Sequence, residues 1–159
     1  MLRQFLIALA LTTGPALAQD VSFGSIEADT SAPVEVAADS LSVNQGDGSA
    51  VFTGNVVIGQ GEMRLSADKV TVEYAQGGQD RIKSLHAVGN VTLVSGADAA
   101  EAAEGVYQVE TGQVTLSGQV VLTQGRNVLI GDKMVVNLAT GAAQVDGRVR
   151  SVLQPGGGQ

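Results

Sequence analysis

Two stretches of the sequence align with each other without a gap. Phe52–Tyr74 reads FTGNVVIGQGEMRLSADKVTVEY, and Leu116–Leu138 reads LSGQVVLTQGRNVLIGDKMVVNL. A repeat of this kind indicates one supersecondary unit stacked on copies of itself, so that each unit buries an apolar face against its neighbour. We therefore expect the functional surface to run along the stack, and not to lie in one compact pocket.

Apolar and polar residues alternate along most of the chain from Val34 onward, and Gly with Asp, Asn or Gln separates the alternating runs. Such alternation is typical of strands with one buried and one solvated face, and the Gly-rich breaks are typical of tight turns. The sequence therefore predicts an all-β fold of about four units of short strands. The stretch Ala97–Glu104 (ADAAEAAE) lacks the alternation and contains good helix formers, so it is compatible with a helical turn or a strand corner.

Two residue types recur at fixed places in these units. A glycine stands before an alternating strand, at Gly54, Gly89, Gly118 and Gly147. An aspartate opens a short apolar strand, at Asp39, Asp68 and Asp132, with Glu104 as a weaker version. A glycine inside a strand marks a bend or bulge, so we interpret it as the bend that folds the sheet into a curved or V-shaped wall. We interpret the aspartates as caps of their own turns rather than as metal ligands.

The N-terminus has the features of a secretory signal peptide. Arg3 precedes the apolar run Phe5–Leu11, and an A-x-A signal ends at Ala18, where we predict cleavage. The chain has no Cys, so we expect an exported protein that folds without disulfides. The expected organisation is a signal peptide over 1–18, a flexible lead-in over 19–33, one domain over 34–153 and a disordered tail over 154–159.

The composition argues against several functional classes. Nine Lys and Arg stand against 16 Asp and Glu, a formal net charge of −7, which argues against nucleic acid or an anionic membrane surface as a partner. His86 is the only histidine, and the alternation places it on the solvent face of its strand. We find no nucleophile–base set, phosphate-binding loop or dinucleotide fingerprint, so we predict a protein that is not an enzyme and uses no metal or cofactor.

The apolar face of the predicted sheet is the remaining candidate for a site. A strand of six to eight residues is about 20–27 Å long, which is comparable with a fatty acyl chain. Two interpretations stay open: the residues pack on one another in an ordinary core, which composition alone favours, or they line a trough for an acyl chain. The inward positions are Phe52, Val56, Ile58, Leu65, Val72, Leu93, Leu116, Val120, Leu122, Leu129, Met134 and Val136.

Several motifs together resemble the OstA-like family, the periplasmic bridge proteins of lipopolysaccharide transport in Gram-negative bacteria. They are V-E-V-A-A-D-S-L, F-T-G-N-V-V-I, L-S-A-D-K-V-T-V-E-Y, A-V-G-N-V-T-L and G-D-K-M-V-V-N-L. The resemblance implies a single-domain antiparallel β-jellyroll, bent into a V, with an apolar groove that shields lipid A acyl chains. It also implies a periplasmic location, and it makes the twelve inward positions the lining of that groove.

The resemblance further implies docking through the two edges of the sheet. The partners would be an inner-membrane-anchored bridge component, the N-terminal domain of an outer-membrane translocon, and further copies of the chain in head-to-tail association. An uncovered edge strand can accept a strand from such a partner. The edge residues would be Val34, Val36, Leu41 and Val43 at the first edge, and Val145, Val149 and Val152 at the last.

Other classes stay open on the sequence. An exported structural β-solenoid or scaffold protein without lipid carriage would have similar Val-rich repeats. Two sister components of the same pathway are less compatible with the sequence: the cleavable signal disfavours the membrane-anchored bridge component, and the end of the chain at Gln159 without a barrel disfavours the translocon. An exported repeat enzyme, such as a β-helix polysaccharide lyase, would need a catalytic cluster that we do not find.

Overall fold

The computed structural model describes residues 26–77 and 81–155, and these residues form ten strands and no helix. The predicted signal peptide with its cleavage site at Ala18, residues 19–25 of the lead-in, and residues 156–159 lie outside the described part. The strands are β1 (Glu35–Ala37), β2 (Ser40–Asn44), β3 (Ser49–Gln60), β4 (Met63–Tyr74), β5 (Ile82–Ser95), β6 (Asp98–Gln108), β7 (Gln113–Gln124), β8 (Asn127–Asn137), β9 (Ala143–Asp146) and β10 (Arg150–Val152).

All ten strands belong to one antiparallel sheet in which neighbours in sequence are mostly neighbours in space. The central strands follow the order β3-β4-β5-β6-β7-β8, with β1 and β2 together on the outer side of β3 and β9 and β10 together on the outer side of β8. Within the described residues the first and last edges do not pair with each other, so the sheet is open. The predicted all-β antiparallel fold is confirmed.

The strands are longer than the sequence suggested. The six central strands have 11 to 14 residues each, and β3, β5 and β7 run through Gly54, Gly89 and Gly118 without a break. The prediction that each aspartate opens a short strand is therefore wrong for Asp68 and Asp132, which lie inside β4 and β8. The repeat unit is a pair of long bent strands, because an antiparallel ladder continues on both sides of a bulge.

Each recurring glycine forms a bend together with the residue that follows it. The backbone has positive φ at both members of every pair, with 83° at Gly54 and 46° at Asn55 in β3. In β3, β5 and β7 these two residues face a single residue of the neighbouring strand, so the register shifts there. Such a bulge bends and twists a strand, and the bend predicted from the glycines is confirmed. The other pairs are Gly89 with Asn90, Gly118 with Gln119, and Gly147 with Arg148.

The row of bends folds the sheet over on itself. Tyr107 pairs with Leu85, Leu85 with Val72, and Val72 with Ala50, so Tyr107 lies level with Ala50 across the sheet. Ala50 precedes Gln60 by ten residues on β3. An extended strand of that length spans about 33 Å, yet the Tyr107 hydroxyl donates a hydrogen bond of 2.5 Å to Oε1 of Gln60. The two halves of the sheet therefore meet at their ends. We call them the first arm, with the β3–β4, β5–β6 and β7–β8 turns, and the second arm, with the β4–β5, β6–β7 and β8–β9 turns.

The core lies between the two arms, as one cluster of buried aliphatic side chains. The stretch Ala97–Glu104 contributes to it as part of β6, so it is a strand and not a helical turn. Ala100 is fully buried, and an added Cβ on Gly105 would lie 3.0 Å from Cδ2 of Leu116. Small residues fit beside the larger side chains of β5 and β7 here, and pairing on both sides outweighs the helical propensity of alanine.

Candidate functional site

The predicted groove residues lie together in the interior between the arms. Ten of the twelve are at most 3% exposed, while Phe52 and Leu129 are half-buried and pack against the others. The inward register predicted from alternation thus agrees with their burial. In the structure these side chains contact one another, so the interior is packed as an apolar core. Among the described residues its buried polar members are Gln60, Ser84 and Ser95, and none of them carries a charge.

Sequence analysis missed Gln60 and Tyr107, which form a buried polar pair where the ends of the arms meet. The hydroxyl of Tyr107 donates to Oε1 of Gln60, and burial raises the pKa of that hydroxyl above its ordinary value. Nε2 of Gln60 donates to the backbone carbonyls of Thr30 and Ala32, at 3.2 and 3.0 Å. All the polar atoms of the pair are therefore satisfied, as buried groups require.

The repeat contained a signal for Tyr107. Ala103 occupies the place of the recurring aspartate in β6, since it stands opposite the bend at Gly118 as Asp132 stands opposite the bend at Gly147. Tyr107 then corresponds to the inward position of Val136, four residues after the aspartate. The interpretation of Glu104 as the weak version of that aspartate is wrong by one residue, and this shift hid Tyr107.

A segment preceding β1 covers the line where the arms meet, and we call residues Ile26–Ala32 the cover segment. Ile26 is fully buried within the core cluster. The amide of Ala28 donates to the carbonyl of Leu138 on the second arm, at 2.9 Å. The hydroxyl of Ser95 on the first arm donates to the carbonyl of Glu27. The cover segment therefore connects both arms.

The recurring aspartates act at the bends and not as caps of their own turns. The carboxylate of Asp39 accepts a hydrogen bond from Nδ2 of Asn55 at 2.9 Å, on the neighbouring strand. Asp132 accepts two hydrogen bonds from the guanidinium of Arg148, an ion pair that raises the pKa of the arginine.

His86 is exposed on β5. No group of three or more His, Cys, Asp or Glu that could hold a metal ion occurs in the described residues.

The two outer edges of the sheet expose apolar side chains. Leu41 and Val43 on β2 are 55% and 54% exposed, and Val149 and Val152 at the other edge are 48% and 57% exposed. The remaining predicted edge residues are half-buried and pack against the core, namely Val34, Val36 and Val145. Residues 26–77 and 81–155 contain no helix long and apolar enough to cross a membrane.

Comparisons with known proteins converge on one family. The family model described as LptA/(LptD N-terminal domain) LPS transport protein matches residues 35–142. An uncharacterized protein of Rhizobium meliloti is 32% identical over 161 residues, which cover 94% of this chain and 87% of that protein. The lipopolysaccharide export system protein LptA of Escherichia coli K12 is 28% identical over 124 residues, which cover 74% of this chain and 66% of that protein.

The fold is also similar to a solved structure. The crystal structure of LptH from Pseudomonas aeruginosa, described as the LptA-homologous periplasmic component of the lipopolysaccharide transport device, superposes with a TM-score of 0.71. It covers 80% of this chain, and 99% of its own chain is matched at 24% sequence identity. Because the sequence identity is low, the structural likeness shows only that the two chains share the β-jellyroll fold.

Proposed function

This chain belongs to the LptA/LptD N-terminal domain family of lipopolysaccharide transport proteins, and we propose that it is a periplasmic bridge protein for lipopolysaccharide. It would shield the lipid A acyl chains in its apolar interior while the lipid passes from the inner to the outer membrane. Its named relatives are transport and assembly proteins, and we assign no enzymatic reaction to it.

The observation that carries this proposal is the interior itself. Aliphatic side chains from both arms face one another along the whole row of bends, and each arm of about six residues is roughly 20 Å long. Burial of an acyl chain there would be worth about 0.8 kcal/mol per CH₂ group. The buried polar residues carry no charge, and the chain is acidic overall, so the phosphate groups of the lipid would remain in water.

Because the interior is packed, a lipid has to separate the arms to enter. The arms are joined covalently along the bends, so they can move apart only at their far ends, where Gln60 contacts Tyr107. An opened interior would leave the twelve groove residues in contact with acyl chains in place of one another. Lipid uptake would thus exchange one apolar contact for another.

The exposed edges fit the proposed partners. Strand addition satisfies the backbone of an edge strand and buries its side chains. Leu41 and Val43 at one edge, and Val149 and Val152 at the other, are the side chains that such docking would cover. We propose that one edge binds an inner-membrane-anchored component and the other an outer-membrane translocon domain, either directly or through further copies of this chain.

A photo-crosslinking experiment in cells tests lipid carriage. A photo-reactive amino acid is placed at Ile58 or Leu122, both 1% exposed, and at His86 on the outer face as the matched control. We expect lipopolysaccharide adducts at the two interior positions and not at His86. The absence of adducts at every interior position would overturn the proposal and favour the alternative, an exported scaffold protein, which shares a packed interior but takes up no lipid.

A further inference from the structure

The interior of the protein is covered at its mouth by part of its own chain. Ile26 is fully buried, and its side chain supplies an aliphatic group to the core just where the ends of the arms meet. The cover segment contacts both arms, through Ser95 and Gly61 on the first and through Leu138 and Gly112 on the second. Any ligand that enters by separating the arms must first displace these contacts.

At Gln60 the cover segment offers only hydrogen-bond acceptors. Nε2 of Gln60 donates to two carbonyl oxygens of the segment, those of Thr30 and Ala32. Oε1 of Gln60 is held by Tyr107, so the side-chain amide is fixed with its donor toward the segment. When the cover segment leaves, this donor loses its partners in an apolar surrounding, and an unpaired buried donor is costly. A ligand that takes the place of the segment has to offer this donor a hydrogen-bond acceptor, and the acceptor nearest an acyl chain is the carbonyl oxygen of its ester or amide.

We propose that Gln60 is a binding site for the carbonyl group of an acyl ester or amide, and that the cover segment is its resident competitor. An entering acyl chain takes the place of the Ile26 side chain, and its carbonyl oxygen takes the place of the Thr30 and Ala32 carbonyls. The inference rests on the proposed function, because it concerns entry of lipid into the same interior.

The first experiment fixes the cover segment in place with a disulfide. A Cβ on Gly61, whose φ is 59°, would lie 3.2 Å from Cβ of Asp29, slightly less than the roughly 3.5–4.5 Å found in disulfides, so a small outward shift of the cover segment admits the bond. The chain has no other Cys. Both positions are exposed, so the double variant Asp29→Cys/Gly61→Cys can be oxidised and reduced in the folded state. A photo-reactive amino acid at Leu122 reports capture of purified lipopolysaccharide. We expect the oxidised protein to capture at least tenfold less than the reduced protein.

The outcomes separate the inference from the proposed function. Equal capture by the reduced form and by a fully oxidised form, with bond formation verified by thiol titration, would overturn the inference and leave lipid carriage intact. Failure of the wild-type protein to capture lipopolysaccharide would overturn both. As a test without a disulfide, Ser95→Ala removes the hydroxyl that holds Glu27 and should speed capture several-fold. Ser84→Ala is the matched control, since Ser84 is similarly buried and bonds Glu73; equal rates in the two variants would also overturn the inference.

A second experiment tests the carbonyl site. A long-chain fatty acid methyl ester and the alkyl methyl ether of equal length compete with a fluorescent apolar dye for the interior. We expect the wild-type protein to prefer the ester several-fold, because only the ester has a carbonyl oxygen for Gln60. In Gln60→Met, which keeps the length of the side chain but has no donor, the ester-to-ether ratio should approach one. Each ratio compares two ligands on the same protein, so any effect of a loosened cover segment on affinity is the same for both ligands and cancels. An ester-to-ether ratio that is unchanged in Gln60→Met would refute the site.

Discussion

The side chain of Asn90 donates a hydrogen bond of 2.8 Å to the carboxylate of Asp68, and it joins β5 to β4 where the sheet bends. Asn90 has a φ of 46°, in the left-handed region that Asn tolerates better than most residues. The same arrangement joins Asn55 to Asp39 at the first edge. The recurring Asp and Gly-Asn elements of the sequence are therefore two halves of one clamp, contributed by neighbouring strands.

Substitution of the clamp glycine should destabilise the protein strongly. A Cβ on Gly89 would lie 2.5 Å from Oδ2 of Asp68, and φ is 85°, so Gly89→Ala adds a clash to backbone strain. We expect a loss of about 3 kcal/mol in the free energy of unfolding. Gly96→Ala is the control, since its φ is 58° but nothing lies within 4 Å of an added Cβ; it should lose only about 1 kcal/mol. Urea unfolding measures both, and equal losses would contradict the clamp.

The bend with Ala103 lacks a clamp and can be given one. Ala103 stands opposite Gly118, and the next residue, Gln119, has a φ of 55°. The double variant Ala103→Asp/Gln119→Asn reproduces the Asp–Asn hydrogen-bonded pair found at the bends of β3 and β5. Because the site is exposed, we expect a gain of about 0.5–1 kcal/mol, a rise of about 2–3 °C in Tm. Each single variant should gain less than half of this, and strict additivity would show that no hydrogen bond had formed.

Recurrence in the sequence made the bends and the inward register predictable, because both depend on local patterns. The glycine positions recur at equivalent places, and alternation placed Val56 and Leu122 in the interior, where they are buried. The same local logic failed for the aspartates, since the partner of Asp39 lies 16 residues away on another strand and not in its own turn.

The covered mouth could not be predicted from local patterns. The cover segment has no alternation, so the sequence predicts only a flexible lead-in there. Its contacts are distant in sequence, as Glu27 bonds Ser95 across 68 residues. Gln60 likewise meets Tyr107 only because the sheet folds over, which depends on all the bends together. Such contacts become visible only when the arms are placed in space.

Removal of the Tyr107 hydroxyl should show how much the buried pair of Gln60 and Tyr107 contributes to the free energy of unfolding. Tyr107→Phe leaves Oε1 of Gln60 buried without its donor, and we expect a loss of about 1–3 kcal/mol at neutral pH. Gln60→Leu should also destabilise, because the cover segment loses two hydrogen bonds. The double variant should lose clearly less than the sum of the two, as expected for groups in contact. Additive losses in urea unfolding would refute the coupling.

The pH dependence of stability should report the same hydroxyl. Burial raises the pKa of Tyr107 in the folded protein above its ordinary value of 10.0, so the unfolded chain ionises first as the pH rises. The stabilisation is complete below that value and is lost as the pH rises toward the folded-state pKa. The stability advantage of the wild type over Tyr107→Phe should therefore shrink between about pH 9 and pH 11. Urea midpoints at these pH values test this, and an advantage that grows with pH would contradict it.

The two edges should be complementary in head-to-tail association. Leu41 on β2 and Val152 on β10 are each more than half exposed at opposite edges, so Leu41→Lys or Val152→Lys should change the free energy of unfolding by less than about 0.5 kcal/mol. Each should nevertheless remain monomeric in sedimentation velocity at concentrations where the wild type forms oligomers, because docking would bury the new charge.

A mixture of the two variants distinguishes head-to-tail from like-edge docking. The Leu41→Lys protein keeps an intact β10 edge and the Val152→Lys protein keeps an intact β2 edge, so the mixture should form heterodimers and stop there. Association of like edges would instead leave each variant able to dimerise alone through its unmodified edge. Dimers of the single variants, or a mixture that stays monomeric, would therefore contradict a bridge that grows by docking the β9–β10 edge of one copy on the β1–β2 edge of the next.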